Sequence, residues 1–158
     1  MRDALRAWQD VCLPGNVRPT HRDDLHLTLH FLGQVAAGRI DDLLVLGDNM
    51  HVPRFELVLD GLGHFARPRV LWVGPTKVPG ELSNLHADLA EGLRDFGFAP
   101  ETRPYRPHVT LARKVGKRPE VADLPSIHWL VRRWALVESR TGRVPLYAPL
   151  KIWEMDEK

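Results

Sequence analysis

Two short stretches carry the side chains best suited to chemistry: His26-Leu27-Thr28-Leu29 and His108-Val109-Thr110-Leu111. Both read imidazole, apolar, hydroxyl, apolar. Successive side chains of an extended chain point to opposite faces. Each stretch therefore offers one His and one Thr on one side and packs two apolar side chains on the other. Histidine is the side chain whose unperturbed pKa lets it take or give a proton near neutrality. Two such stretches facing each other across a cleft supply two titratable groups and two hydroxyl donors to one small anion. Imidazoles on opposite sides of a phosphorus atom suit an in-line displacement, in which one takes a proton from the attacking oxygen and the other protonates the leaving oxygen. The hydroxyls are placed to hold charge on the non-bridging oxygens. Either stretch alone also fits an ordinary half-buried strand; the pairing singles them out.

The elements that must position these groups follow from the pattern around them. Leu5, Trp8 and Cys12 fall at helical spacing, and Pro14-Gly15 stops that helix, predicted over residues 2–12. A polar loop with Pro19 and Asp23-Asp24 leads into the first motif, predicted as a strand over residues 25–32 and ended by Gly33. A second helix is expected over residues 39–46. Phe55, Leu57 and Leu59 alternate with Glu56, Val58 and Asp60 as a strand does, and Gly61-Leu62-Gly63 reads as a turn or bulge. Val70-Leu71-Trp72-Val73 is a short, nearly all-apolar strand. Leu82, Leu85, Leu89, Leu93 and Phe96 form one helical stripe over residues 81–96, with Gly97 as its C-terminal cap. The second motif is expected as a strand over residues 108–114. Strands follow at 129–131 and 134–139, with Arg132-Arg133 as a bulge or turn. A last strand is expected over residues 144–153, its Val144, Leu146, Ala148, Leu150 and Ile152 on one face and Pro145 and Pro149 marking an edge. Mixed helices and strands with hairpin-like connections argue for an α+β fold with mainly antiparallel sheet.

The bulk numbers fit one domain spanning residues 1–158, with 44% hydrophobic and 27% charged residues. No apolar run approaches the length of a membrane span, and the first residues do not resemble a secretory signal. Cys12 is the only cysteine, which excludes an internal disulfide and a cysteine-based zinc site. A cytoplasmic setting is expected. The net charge of +2 is modest but uneven, because Arg103, Arg106, Arg113, Lys114, Lys117 and Arg118 crowd around the second motif and favour an anionic partner.

The flanking words carry a resemblance. His26-Leu27-Thr28-Leu29-His30-Phe31-Leu32-Gly33 and Arg106-Pro107-His108-Val109-Thr110-Leu111-Ala112-Arg113 resemble the two signature motifs of the two-histidine phosphoesterase superfamily. With Pro68-Arg69-Val70-Leu71-Trp72-Val73-Gly74, Glu138-Ser139 and Pro145-Leu146-Tyr147, they are similar to its RNA 2′,3′-cyclic phosphodiesterase branch, also described as 2′-5′ RNA ligase. The resemblance implies a two-lobed, duplicated fold, with antiparallel sheets flanked by helices around a central groove that holds both motifs. It implies metal-independent opening of a cyclic phosphate to a 2′-phosphate, with 2′-5′ joining as the reverse. It makes His26 the general acid and His108 the general base, with Thr28, Thr110 and Arg113 on the phosphate. His30, Arg106 and Tyr105 are candidate nucleotide contacts, with His30 favoured as groove wall; Trp72 is the weakest, its place in the core favoured. Relatives usually begin with a short apolar strand ahead of the first helix, and this sequence starts inside that helix.

The expected partner is RNA with a 2′,3′-cyclic phosphate end, tRNA fragments included, or a nucleotide, met by a monomer without cofactor or membrane. Three rivals stand beside this reading. His26, His30 and His108 could ligate zinc, but no Asp or Glu within the motifs completes a set, and a metal-free site is expected. A module could capture phosphorylated RNA ends without turnover, although binding alone does not need two imidazoles. The substrate could also be a small cyclic nucleotide. His21, His51, His64, His86 and His128 have no patterned neighbours and are taken as structural or surface residues.

Overall fold

A computed structural model describes residues 1–121 and 124–157. Among these residues three α-helices and seven strands follow in the order α1 (Arg2–Cys12), α2 (Ile40–Asp48), β1 (Phe55–Leu59), β2 (Gly61–Phe65), β3 (Val70–Gly74), α3 (Gly80–Asp95), β4 (Val109–Arg113), β5 (Ile127–Val131), β6 (Arg133–Ser139) and β7 (Tyr147–Glu154). The strands form three antiparallel sheets among the described residues, ordered β1-β5, β2-β3-β4 and β6-β7. The fold is α+β, as the sequence predicts.

The two clearest helices form where their apolar spacing demands. Leu5, Trp8 and Cys12 of α1 are at most 2% exposed, and Trp8 Nε1 donates to the carbonyl of Pro125 at 3.1 Å. Helix α3 buries Leu82, Leu85, Leu89 and Leu93. Gly97 takes a φ of +77° that suits glycine best. Its N–H donates to Arg94 and that of Phe98 to Leu93, a Schellman cap that satisfies the last carbonyls. Both stripes meet β1, β3 and β4 in one core, to which Leu57, Leu59, Leu71, Val109 and Leu111 contribute buried side chains.

Four expectations need correction. The first motif is not a strand: over residues 25–32 only Leu27 makes a bridge, to Val109. A strand needs a continuous ladder, and this segment has a single bridge, with the Tyr105 hydroxyl donating to the Thr28 carbonyl beside it. Gly61-Leu62-Gly63 is neither turn nor bulge but the start of β2, paired with β3 from Gly61↔Gly74 to Phe65↔Val70. Glycine is required at position 63 because the Trp72 indole lies across it; a Cβ there would sit 2.0 Å from the ring. The predicted second helix begins as a 3-10 turn, Ala37–Arg39, and its α-helical part runs two residues further, to Asp48. The last strand starts later, at Tyr147, and turns the other way: Leu150 and Ile152 are exposed while Trp153 is half-buried on Trp134, ring centroids 4.4 Å apart. A register shift between Leu136↔Lys151 and Val137↔Pro149 skips Leu150 in the pairing of β6 with β7.

Candidate active site

Motif two runs from His108, directly before β4, into that strand; Val109 and Leu111 are fully buried while His108 and Thr110 are half-buried. Strand β3 pairs along it and sets Trp72 opposite Thr110. The other edge of β4 is covered by the chain that leads to motif one. Pro19 bridges Ala112, and Thr20 N–H donates to the Leu111 carbonyl at 2.8 Å. Gln9, a buried polar residue of α1, ties the two segments together by donating to the carbonyls of Thr20 and Leu111, both at 2.9 Å.

The two motifs open on one cavity of about 390 Å³. His26, Thr28, His108, Thr110 and Arg113 all line it. Both imidazoles are held in the same way. His26 Nδ1 is 2.6 Å from the carbonyl of Asp24, and His108 Nδ1 is 2.7 Å from that of Arg106, in each case two residues back. A carbonyl can only accept, so Nδ1 carries the proton and each Nε2 is left for the substrate. In His26 that nitrogen accepts from the Thr28 hydroxyl at 3.1 Å. The rings are also fixed in plane: His26 meets Tyr147 edge-on at 4.6 Å, and His108 lies 5.2 Å from Phe65 and 5.8 Å from Trp72.

Asp24 shapes the cleft without charging it freely. Its two carboxylate oxygens accept the backbone N–H groups of Leu146 and Tyr147, both at 3.0 Å. Arg113 is the last residue of β4, and Lys114 after it takes a φ of +63°. That kink takes the chain out of the sheet, and both side chains line the cavity. Arg18, His21 and Tyr147 also line it. The sequence reads His21 as a structural or surface residue and offers Tyr147 only within Pro145-Leu146-Tyr147; nothing local marks Arg18, a loop residue that becomes a wall through the bridge of Pro19 to Ala112.

His30, Tyr105 and Arg106 do not line the cavity. His30 stacks on His86 at 4.1 Å and donates from Nε2 to the His86 carbonyl at 2.8 Å. His86 in turn stacks on Tyr105 at 3.9 Å, and the Tyr105 hydroxyl donates to the Thr28 carbonyl at 3.2 Å. This column joins α3, motif one and the approach to motif two. Burial, reinforced by the neighbouring His30 charge, holds the His86 pKa below its usual value, and burial pushes the Tyr105 phenol up, so it remains a donor. The set His26, His30 and His108 is therefore not gathered on one point. Among the described residues no group of three His, Cys, Asp or Glu side chains is arranged to hold a metal ion. Likewise, no described helix is long and apolar enough to cross a membrane.

The chain and its fold are similar to those of known proteins. A family model described as 2′-5′ RNA ligase superfamily matches residues 3–143. The chain is 32% identical to an RNA 2′,3′-cyclic phosphodiesterase of Escherichia coli over 99% of its length and 91% of that protein. It is 30% identical to an RNA 2′,3′-cyclic phosphodiesterase of Archaeoglobus fulgidus, covering 87% of this chain and 84% of that one. The crystal structure of Escherichia coli LigT complexed with 3′-AMP superposes with a TM-score of 0.82 at 32% identity, over 98% of this chain and 90% of that one.

Proposed function

Because the chain belongs to the 2′-5′ RNA ligase superfamily, we propose that it hydrolyses RNA 2′,3′-cyclic phosphate ends to 2′-phosphates. The observation that carries this reading is the shared clamp: two imidazoles on one cavity, each fixed through Nδ1, with Nε2 of His108 left for the substrate and Nε2 of His26 met by the Thr28 hydroxyl of the same motif. His108 Nε2 takes a proton from water as its oxygen attacks phosphorus. The bond from phosphorus to the ribose 3′ oxygen breaks, and His26, protonated at Nε2, gives that oxygen its proton. The product carries a 2′-phosphate and a 3′-hydroxyl, and exchange with solvent restores both histidines. Thr28, Thr110 and Arg113 hold the non-bridging oxygens as charge builds on them. The strained ring makes a reactive ester, so no cofactor enters the scheme. With a 5′-hydroxyl in place of water as the attacking group, the same step forms a 2′-5′ linkage and frees the 3′-hydroxyl.

RNA fragments ending in a cyclic phosphate, tRNA fragments among them, are the substrates this reading implies, in the cytoplasm. One continuous core, to which α1, α3, β1, β3 and β4 all contribute, supports a single domain, and a monomer is the form this reading takes. The test is an RNA ending in a 2′,3′-cyclic phosphate, incubated with chelator present beside His26→Ala and His108→Ala. A 2′-phosphate product from the unaltered protein, with turnover reduced about 100-fold or more in each variant, supports the reading. Tight binding without product from the unaltered protein overturns it in favour of an end-binding module.

A further inference from the structure

The cavity holds more positive charge than one cyclic phosphate needs. The antiparallel bridge between Pro19 and Ala112 sets Arg18 opposite Arg113. Like charges facing each other across paired chains repel and destabilise the pairing. Lys114, the next residue, adds a third cation and holds a left-handed backbone that a non-glycine residue adopts at a cost. All three side chains line the cavity. None has a carboxylate within 4.0 Å among the described residues, whereas nearby cations do: Arg2 pairs with Asp23 at 3.3 Å and Arg22 with Asp3 at 3.0 Å. The one carboxylate lining the cavity, Asp24, is spent on two backbone N–H groups. An unneutralised cluster of this kind is stabilised by a bound anion. The cyclic phosphate calls on Arg113; Arg18 and Lys114 remain.

We infer that Arg18 and Lys114 form a second phosphate subsite, which takes the internucleotide phosphate one nucleotide back from the cyclic end. The inference rests on the phosphodiesterase reading above and sharpens its substrate class: the end of a chain rather than a cyclic mononucleotide. Terminal phosphate and internucleotide phosphate are bridged by one ribose. A seat beside Arg113 therefore captures the second group only when the first is in place. The subsite recognises backbone and not base, so it confers a preference for length without a preference for sequence.

The test compares adenosine 2′,3′-cyclic phosphate with a dinucleotide ending in the same group. In the unaltered protein kcat/KM for the dinucleotide is expected to be higher by about 10-fold or more. In Arg18→Gln, and separately in Lys114→Gly, which removes the charge and relieves the backbone, the ratio between the two substrates falls toward one, through KM. The dependence of log KM on log salt for the dinucleotide becomes shallower by about 0.7 for each cation removed. A ratio near one in the unaltered protein, or a ratio unchanged in both variants, overturns the subsite. If neither substrate is turned over, the phosphodiesterase reading falls by itself. The subsite is then judged by affinity for a dinucleotide carrying a 2′-phosphate against adenosine 2′-phosphate, and equal affinities overturn it.

Discussion

The two His-x-Thr segments have the same chemistry and the same clamp on Nδ1, yet they are held by different means. Thr110 stands on β4 and His108 directly before it, with a ladder on one side and fully buried Val109 and Leu111 beneath. His26 and Thr28 stand on an extended segment with one bridge, at Leu27. That segment is tied down by side chains: Asp24 to Leu146 and Tyr147, Tyr105 to Thr28, and His30 to His86. The histidine geometry is thus local, set by a carbonyl two residues back, and the support beneath it can be apolar packing or polar tethers. The two supports fail differently. Packing is lost with the global fold, whereas a tether can be cut while the core stays intact.

The largest effect belongs to the packed side. Leu111→Ala removes a fully buried side chain and is expected to cost about 3 kcal/mol, lowering the melting temperature by roughly 6–12 °C. Assayed well below that temperature, kcat is expected to hold within about threefold, since β4 keeps its ladder. Asp24→Ala inverts the balance. It leaves two backbone N–H groups without their acceptor, a loss of about 1–3 kcal/mol. It also frees the chain two residues before His26, so kcat/KM is expected to fall by about 10- to 100-fold. Calorimetry and steady-state kinetics on the same two variants decide the comparison. If both lose activity only in proportion to stability, the distinction between the two supports is wrong.

Much of this was legible in the sequence because it was local. The spacing of Leu5, Trp8 and Cys12, and that of Leu82, Leu85, Leu89 and Leu93, marks the helices that the structure contains. The strand at Val109–Arg113 and the short apolar strand at Val70–Gly74 also follow from composition. Both motifs were found by pattern, and the structure brings them to one cavity. What was illegible depends on partners far away in the chain. Alternation in Leu27-Thr28-Leu29 promised a strand, but alternation cannot supply the neighbour that a ladder needs. The glycines of β2 read as a turn because the Trp72 ring that demands a missing side chain at Gly63 lies across the sheet. His30 continues the His26 face by counting, but His86 on α3 draws it into a stack instead. Arg18 has no motif of its own; only the bridge at Pro19 sets it opposite Arg113.

The stack supplies a smaller effect with a definite sign. Burial and the His30 charge lower the His86 pKa from 6.5, so the unfolded chain takes up this proton more readily than the folded one. Above that pH both states are neutral at His86 and it contributes nothing; as pH falls below it, stability is lost until the folded residue is also protonated. His86→Phe keeps a ring in the column and keeps the backbone carbonyl that receives His30. It is expected to flatten the acid side of the stability curve while leaving stability near pH 8 little changed. Urea midpoints at a series of pH values measure this. An unchanged slope would show that the loss of stability on acidification comes from elsewhere in the molecule.

The smallest effect isolates one tether. Tyr105→Phe preserves the stack on His86, whose rings lie 3.9 Å apart and 13° from parallel, and removes only the hydroxyl that reaches the Thr28 carbonyl. One neutral hydrogen bond at the edge of the site is expected to be worth about 1 kcal/mol, with kcat/KM lowered by about three- to fivefold. The loss should fall on kcat more than on KM, because Thr28 meets charge that develops in the transition state. On the other side Thr110 is held by the β3 ladder, so nothing removable by a single hydroxyl performs this task there. If Tyr105→Phe lowers activity as far as Asp24→Ala, the tethers act as one cooperative unit and motif one has no graded support. If it lowers nothing, the Asp24 anchor alone positions His26, and the stack serves only to seat α3.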